Sequence, residues 1–291
     1  MSMRLEILQV ARLSPRLLSE GTDLVRAFIS SQLNDEGGFC DRAGNSDLYY
    51  TVFGLNCMEA LQMEVPKTAV SGYLDRFGNG EGLDMIHLCA LARCRAATGF
   101  EAAARDRLAA RILAYRTPDG GFNVSPNAET ATVYGNFMAM GAFQDLGLPL
   151  QNAEALADTC LAMRTGDGAF GNEPGLPMGN TPAVAAAESV LRGLGKPMPV
   201  EAGDWLLTCG YGAGGFFAVP GAPMPDLLST ATALHALSGL HLPLDKIRED
   251  CLDFIDSLWV NRGGFYGNWG DEYLDSEYTF YGLLALGHLS L

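Results

Sequence analysis

The 291-residue chain is long enough for one large core or two ordinary ones, and its 48% apolar and 18% charged residues exclude a disordered polymer. Its net charge of -15 excludes a nucleic-acid backbone or an anionic membrane surface as a partner, because like charges repel and no basic patch compensates. No apolar run approaches the ~20 residues of a membrane span, and Arg4, Glu6 and Arg12 interrupt the N-terminal apolar segment, so we expect a cytoplasmic protein without a secretory signal.

The cysteine pattern predicts reduced thiols rather than a disulfide framework. The chain has seven cysteines, an odd number, and none of them forms a Cys-x-x-Cys pair. Scattered cysteines of this kind are typical of buried thiols in a cytosolic protein. The histidines also lack metal-ligand spacing, and we expect packed or surface side chains at His87, His235, His241 and His288.

The chain begins with one predicted helix and then repeats a helical unit. The leading helix carries Leu5, Ile7, Leu8 and Val10 and ends near Pro15. Each later unit consists of an outer helix, a Gly-rich turn ending in an aromatic residue, and an inner helix. Because such a unit cannot bury its own apolar faces, it must stack on its neighbours.

The clearest unit lies at the C-terminus, from Asn261 to Leu289. Gly263 and Gly264 suit positive φ and close backbone approach, and Phe265 can anchor the turn by burying its ring. Asp275 can accept hydrogen bonds from the free N–H groups of a helix start. Apolar residues then recur at helical spacing, at Tyr278, Tyr281, Leu284, Ala285 and Leu289.

Five similar units precede this one, and together they predict a single domain over residues 1–291. Clear turns occur at Gly37, Gly120, Gly168 and Gly214, whereas Phe77–Gly82 replaces the turn in a degenerate second copy. From Gly120 onward the turns are 46 to 49 residues apart, a period typical of helical repeats. The repeats are predicted at about 22–63, 66–97, 101–147, 152–195, 200–240 and 244–291. Their inner helices are predicted to start at Asp47, Asp84, Glu129, Thr181, Asp226 and Asp275.

Six such units can form an open solenoid or a closed ring. We predict closure, an all-α fold of the α/α toroid type, because the inner helices lack the polar face that an open groove needs. The ring would surround a central cavity with the acidic helix starts at one end. Small residues on the fourth and fifth inner helices indicate either close packing or one side of an asymmetric apolar pocket. Candidate substrate-binding aromatics for its other wall are Tyr50, Phe53, Tyr134, Phe137, Tyr278 and Tyr281.

The repeated turn and inner helix resemble the repeat of protein prenyltransferase β subunits and of squalene and terpenoid cyclases. The closest stretch, Gly168–Leu191, looks like the family pattern Gly-Gly-Phe-Gly-x-x-Pro-Gly followed by a small-residue helix, and the final segment DSEYTFYGLLAL looks like that family's last inner helix. The resemblance covers nearly the whole chain and implies an α/α toroid that handles isoprenoids.

The metal and diphosphate sites of the prenyltransferase branch do not carry over. That branch holds a catalytic zinc with an Asp-x-Cys pair and a later His, whereas Leu228 follows Asp226 at the Cys position and Tyr278 stands at the His position. Gly179 falls near the expected diphosphate His, and Val219–Pro225 contains no base. We therefore predict no metal ligands and no zinc, and the acidic mouth leaves Mg²⁺ an open alternative.

The terpenoid cyclase branch uses an Asp-x-Asp-Asp-Thr motif whose carboxylic acid protonates an alkene or epoxide. Asp226 to Thr230 keeps only the first Asp and the Thr, while Asp275 to Thr279 places Glu277 in the third position. The candidate catalytic residues are thus Glu277, Asp275 and Asp226. Helix N-capping is the competing interpretation for both aspartates, and a solvated carboxylate is the competing interpretation for Glu277.

These features give three hypotheses of different kinds. The first is an enzyme that starts terpenoid cyclisation with an acid and has abandoned zinc. The second is a non-catalytic toroid that binds a lipid, a peptide or a partner helix, because function resides in sites and not in the fold. The third is the β-like half of a heterodimeric prenyltransferase whose helical partner supplies the missing bases.

Overall fold

A computed structural model describes residues 2–99, 101–210, 212 and 214–291. Helices dominate the described part, with two short antiparallel ribbons at turns. In chain order the helices are α1 (Met3–Ala11), α2 (Pro15–Leu18), α3 (Gly21–Gln32), α4 (Leu48–Ala60), α5 (Lys67–Asp75), α6 (Met85–Thr98), α7 (Ala102–Leu113), α8 (Val133–Leu146), α9 (Ala153–Ala162), α10 (Thr181–Gly193), α11 (Val200–Thr208), α12 (Leu227–Gly239), α13 (Arg248–Ser257) and α14 (Ser276–Leu289). The ribbons pair β1 (Phe39–Cys40) with β2 (Ser46–Asp47), and β3 (Trp259–Val260) with β4 (Gly264–Phe265).

The even-numbered helices from α4 to α14 form a closed inner ring. Each inner helix packs on the next inner helix along the chain, and α14 packs on α4 to close the ring. The outer helices α5, α7, α9, α11 and α13 lie against this ring, and α3 completes the layer against α4 and α14. The predicted all-α toroid is therefore confirmed. Our reason for closure was incomplete, because several inner helices do carry polar residues on their cavity face.

The turns follow one design in which a buried phenylalanine joins the turn to its inner helix. The rings of Phe39, Phe122, Phe170, Phe216 and Phe265 are at most 1% exposed. The N–H of Phe39 donates to Thr51 Oγ1 at 3.0 Å, and the N–H of Phe122 donates to Asn136 Oδ1 at 2.8 Å. Because a buried N–H must find an acceptor, these side chains fix the turn on the helix.

Backbone hydrogen bonds also tie consecutive repeats together. The first N–H of an inner helix donates to a loop carbonyl of the following repeat in three places. These bonds are Val133 to Asn172 at 3.0 Å, Thr181 to Ala218 at 2.8 Å and Leu227 to Gly267 at 2.8 Å. They satisfy helix-terminal donors that would otherwise lack partners.

Every inner helix begins at a polar N-cap whose side chain accepts from the N–H three residues later. The caps are Asp47, Asp84, Thr132, Asn180, Asp226 and Asp275. The predicted starts agree with these caps to within one residue, Thr181 following its cap, except in the third repeat, where Glu129 lies in the preceding loop. Thr132 caps α8, so the start predicted at Glu129 is three positions too early.

Helix α1 covers the end of the ring at which the inner helices finish. It packs on α14, α4 and α8. Arg4 donates to both carboxylate oxygens of Glu59 at 2.6 Å, and the N–H of Met3 donates to Gln144 Oε1 at 2.8 Å. The close approach of α1 to α14 requires Gly287, where a Cβ would lie 2.1 Å from the Val10 carbonyl oxygen. The sequence predicted this helix, but not its position as a floor.

No helix in the described ranges is long and apolar enough to cross a membrane. All seven cysteines are unpaired, and all except Cys40 are buried. The predicted buried thiols are thus confirmed.

Candidate active site

The inner ring encloses a cavity of about 370 Å³ that is closed below by α1. Its wall follows one register, since most lining residues lie two, six or nine positions after the N-cap of an inner helix. At a rise of ~1.5 Å per residue, the second and the ninth positions after the N-cap are about 10 Å apart along the helix axis. We name the three sets the upper layer (Tyr49, Tyr134, Pro182, Leu228), the middle layer (Phe53, Ala90, Met138, Ala186, Thr232, Tyr281) and the lower layer (Asn56, Arg93, Ser189, His235, Leu284).

Aromatic rings form one side of the cavity. Tyr49 and Phe53 meet edge to face with ring centroids 5.0 Å apart, and Phe53 lies 5.7 Å from Tyr281. Tyr134 and Phe137 extend this wall along α8. Aromatic faces carry negative electrostatic potential, so this side can stabilise a cation.

Small residues form the opposite side, on α10. Pro182, Ala185 and Ala186 line the cavity there, as the asymmetric-pocket interpretation predicted. Ala183 and Ala187 instead face the helix packing and are at most 5% exposed. Both interpretations of the small residues therefore apply, to different faces of one helix.

Two predicted aromatic contacts lie outside the cavity wall. Tyr50 and Tyr278 sit three positions after their N-caps, and both are half-buried near the mouth. The Tyr278 ring packs against Gly267 and lies 5.5 Å from the Arg42 guanidinium. Tyr49, which the sequence analysis passed over, occupies the wall instead of Tyr50. The spacing of Tyr49, Phe53 and Asn56 is the signal that could have found it.

Asp226 and Asp275 both serve as N-caps, and their carboxylate oxygens are already engaged. Asp226 accepts from the Ser229 N–H and hydroxyl, each at 2.7 Å. Asp275 accepts from the Tyr278 N–H at 2.8 Å and from Arg42 Nε at 2.8 Å, and it is 1% exposed. Burial raises the pKa of each carboxyl, although these hydrogen bonds oppose the shift.

Glu277 has a different environment from the two aspartates. It lies two positions after its N-cap, at the height of the upper layer, and accepts from the Tyr49 hydroxyl at 2.7 Å. Burial raises the pKa of Glu277, the Tyr49 hydrogen bond opposes that rise, and the charge of Asp275 adds to it. Glu277 is thus half-buried rather than freely solvated, and Tyr49 connects it to the cavity.

Arg42 brings a positive charge to the acidic mouth, although no local sequence pattern around it indicates such a position. Its Nη2 donates to Asp271 at 2.9 Å while its Nε donates to Asp275. The guanidinium also lies 5.8 Å from the Tyr273 ring and 5.5 Å from the Tyr278 ring. Arg42 belongs to the first repeat and its carboxylate partners to the sixth, so these ion pairs help to close the ring.

The residues present do not fit the zinc site of the prenyltransferase branch. Of the three positions that correspond to the zinc ligands Asp, Cys and His, only Asp226 keeps the family's residue type. Both of its carboxylate oxygens accept hydrogen bonds from Ser229. Leu228 lines the cavity, and Tyr278 packs on Gly267. Among the described residues, no group of three or more His, Cys, Asp or Glu side chains could hold a metal ion.

His235 and His288 form a buried pair that the sequence did not reveal, because 53 positions separate them. His235 Nδ1 lies 3.0 Å from His288 Nε2, and Glu6 of α1 lies 4.0 Å from His235 Nε2. Burial lowers the pKa of both imidazoles. The pair joins α12 and α14 directly above the floor helix.

The comparisons with known proteins agree with this architecture. The model of a family described as the prenyltransferase alpha-alpha toroid domain matches residues 20–87, 83–177 and 187–289. The chain belongs to this family. Because the matched residues take in nearly all six repeats, the toroid family accounts for the whole ring and not for one part of it.

Solved structures of other toroid proteins share the fold at low sequence identity. Candida albicans protein geranylgeranyltransferase-I complexed with GGPP is 17% identical, with a TM-score of 0.64 over 84% of this chain and 86% of that chain. A variant of the type II terpene cyclase MstE from Scytonema, in complex with merosterolic acid A, is 15% identical with a TM-score of 0.64 over 97% of both chains. The apo form of that cyclase gives 14% identity and a TM-score of 0.61 over 94% of this chain and 97% of that chain. No curated protein sequence matches the chain.

Proposed function

We propose that this toroid protein binds an isoprenoid chain in its cavity and starts its cyclisation by proton transfer from Glu277 through Tyr49. The hydrogen bond between these two residues at the aromatic wall is the observation that carries the proposal. Two structural neighbours hold isoprenoid compounds, namely GGPP and geranylgeranyl dihydroxybenzoate. An enclosed cavity with one aromatic wall suits the same class of guest.

The proposed chemistry needs only a proton and an alkene. With Glu277 protonated, its O–H donates to the Tyr49 oxygen, and the Tyr49 O–H is free to point at the guest. Tyr49 gives its proton to the terminal alkene carbon while Glu277 reprotonates Tyr49, which leaves a tertiary carbocation and a Glu277 carboxylate. Ring closure then consumes further double bonds, and loss of a proton to Glu277 restores the acid. The rings of Phe53 and Tyr281 shield the cation.

The burial of Glu277 supports its role as the acid. A raised pKa keeps the carboxyl protonated at a higher pH than a solvated glutamate would allow. We expect the first-order rate constant to fall as the pH rises through that pKa. In this proposal Asp226 and Asp275 shape the mouth as helix caps and transfer no proton.

The test is an assay with polyprenyl substrates in D₂O, with product analysis by mass spectrometry. General acid catalysis contributes about 10²- to 10⁴-fold, so Glu277→Gln and Tyr49→Phe should each reduce turnover by at least 100-fold. The wild-type product should carry one deuterium at the former chain end. Unchanged turnover in Glu277→Gln would remove this residue from the mechanism.

A second candidate is a toroid that holds its guest without chemistry. The capping roles of Asp226 and Asp275 favour it, because they leave one candidate acid instead of three. A helical partner that supplies further bases is a third alternative. Native mass spectrometry separates the third alternative from the first two, since a retained protein chain supports the third and a retained prenyl compound supports the others. The deuterium assay then separates the enzyme from the non-catalytic toroid.

A further inference from the structure

The floor of the cavity is polar, although its upper walls are apolar. Four inner helices place a polar side chain in the lower layer, at Asn56, Arg93, Ser189 and His235. Helix α1 adds Arg4 from below. Ser189 and His235 have partners within the protein, at the Ala185 carbonyl and His288, so an apolar guest alone would leave chiefly the Asn56 amide and part of each guanidinium without hydrogen bonds.

The Asn56 amide is the polar group of this floor that is most clearly available to a ligand. Asn56 is 4% exposed and lines the cavity, yet no side chain or backbone group of the described residues hydrogen-bonds to its amide. Buried amides in folded proteins nearly always have a partner. The amide therefore presents an unused donor and an unused acceptor to the cavity.

The two arginines add further donors. Arg93 donates to Asp145 through Nε at 2.7 Å, and within the described chain that is its one hydrogen bond. Its Nη2 stands beside Gly141, where a Cβ would come within 3.1 Å. Arg4 also lines the cavity and donates to Glu59 through Nη2, which leaves its Nη1 without a hydrogen bond to the described residues. Each guanidinium thus keeps N–H groups beyond those that its carboxylate uses.

We propose that Asn56, Arg93 and Arg4 form a head-group site for a carboxylate, with the apolar chain of that ligand rising past the aromatic wall toward the mouth. Donors outnumber free acceptors at this floor, so an acceptor-rich head fits it best. A carboxylate matches guanidinium geometry and strengthens each hydrogen bond through its charge. Asp145 and Glu59 already balance one charge each, which keeps both arginines in place when the site is empty.

The dimensions of the cavity set the size of the chain. A cavity of about 370 Å³ lies within the ~300–1,000 Å³ range of small-molecule pockets, so it can admit a small organic guest. The lower and upper layers are about 10 Å apart. An extended chain of about eight bonds covers this distance, at the ~1.2 Å per bond of an extended backbone. A ten-carbon isoprenoid acid therefore spans the cavity from Asn56 to Tyr49.

This site deepens the proposed function and rests on it for the isoprenoid nature of the chain. A ligand held by its head at the floor would present its far end to Tyr49 and Glu277. The distal double bond would then lie where the proton is delivered.

Isothermal titration calorimetry with geranic acid and geraniol tests the proposal without requiring turnover. The two probes share a hydrocarbon chain and differ in the head group. We expect the wild type at neutral pH to bind geranic acid at least tenfold more tightly than geraniol. Equal affinities, or no binding of geranic acid at millimolar concentration, would overturn the proposal.

Two variants and a matched control locate the site. Asn56→Leu, of similar volume, should reduce geranic acid affinity at least tenfold without lowering the melting temperature, because it removes an unpartnered amide. Gly141→Ala should also weaken binding, by crowding Arg93. Thr98→Val is the control, since the Thr98 hydroxyl already donates to the Cys94 carbonyl at 3.1 Å and Thr98 does not line the cavity. Unchanged affinity in both Asn56→Leu and Gly141→Ala would refute the assignment.

The outcome is separable from that of the proposed reaction. Tight binding of geranic acid with no turnover of any polyprenyl substrate would leave the head-group site standing and remove the acid mechanism. Turnover that depends on Glu277, combined with equal affinity for acid and alcohol, would do the reverse.

Discussion

The buried pair His235 and His288 makes the stability of the fold depend on pH. Both imidazoles have a lowered pKa because burial disfavours their charged forms, so the unfolded chain binds more protons than the folded one. Stability is therefore retained above the unfolded pKa of ~6.5 and lost as the pH falls below it. Between pH 7 and pH 5 each histidine that stays neutral in the fold contributes a loss of about 2 kcal/mol.

For two histidines the expected loss in the free energy of unfolding is thus about 4 kcal/mol. This is an upper value because of the neighbouring Glu6. Its carboxylate lies 4.0 Å from His235 Nε2 and would partly stabilise a charged ring, whereas Arg192, which donates to Glu6 at 2.6 Å, opposes that effect.

Urea unfolding followed by tryptophan fluorescence measures the effect. Wild type and His235→Gln/His288→Gln would be compared at pH 7 and pH 5, and the difference cancels the titration of the many surface carboxylates. We expect the wild type to lose up to about 4 kcal/mol more than the double variant over this interval. Equal losses in the two proteins would show that the pair does not stay neutral and would refute the argument.

Two further predictions concern the packing of the ring and its helix caps. Gly282→Ala should destabilise the fold by about 1–3 kcal/mol, because the added Cβ would lie 2.5 Å from the Phe265 ring. In contrast, the Cβ of Gly72→Ala on α5 meets no atom within 4 Å, so this variant should stabilise the fold by about 0.5–1 kcal/mol. Chemical denaturation compares the two, and equal effects would contradict the packing argument. Asp226→Ala should cost about 1 kcal/mol of stability through loss of the α12 cap, and Asp226→Asn should retain most of it. An alanine variant as stable as the asparagine variant would exclude the capping role.

The fold was predictable because the residues that define each repeat lie close together in the sequence. A glycine of positive φ, a buried phenylalanine and a polar cap recur in order, and each acts through neighbours close in the chain. Glu129 misled the third boundary because an acidic residue near a helix start need not be the cap. The cap is the uncharged Thr132, whose hydroxyl accepts a hydrogen bond from the Gly135 N–H at 2.9 Å.

The site was less predictable because its contacts join distant repeats. Tyr49 and Glu277 are 228 positions apart, and nothing local to either residue indicates their hydrogen bond. A choice of Tyr50 over Tyr49 changes the helix face by about 100°, which spacing alone did not decide. The polar lower layer escaped notice for the same reason, since each helix contributes a single residue to it.

The contact of α14 with α4 gives this chain no terminal repeat. Linear repeat proteins expose an outer unit at each end, and their unfolding can begin there. In a ring, opening any one seam uncovers two apolar helix faces at once, so no seam is a preferred point of fraying. The six units should therefore unfold in one concerted step, and a break in the chain at an outer loop should be tolerated better than the loss of any single unit.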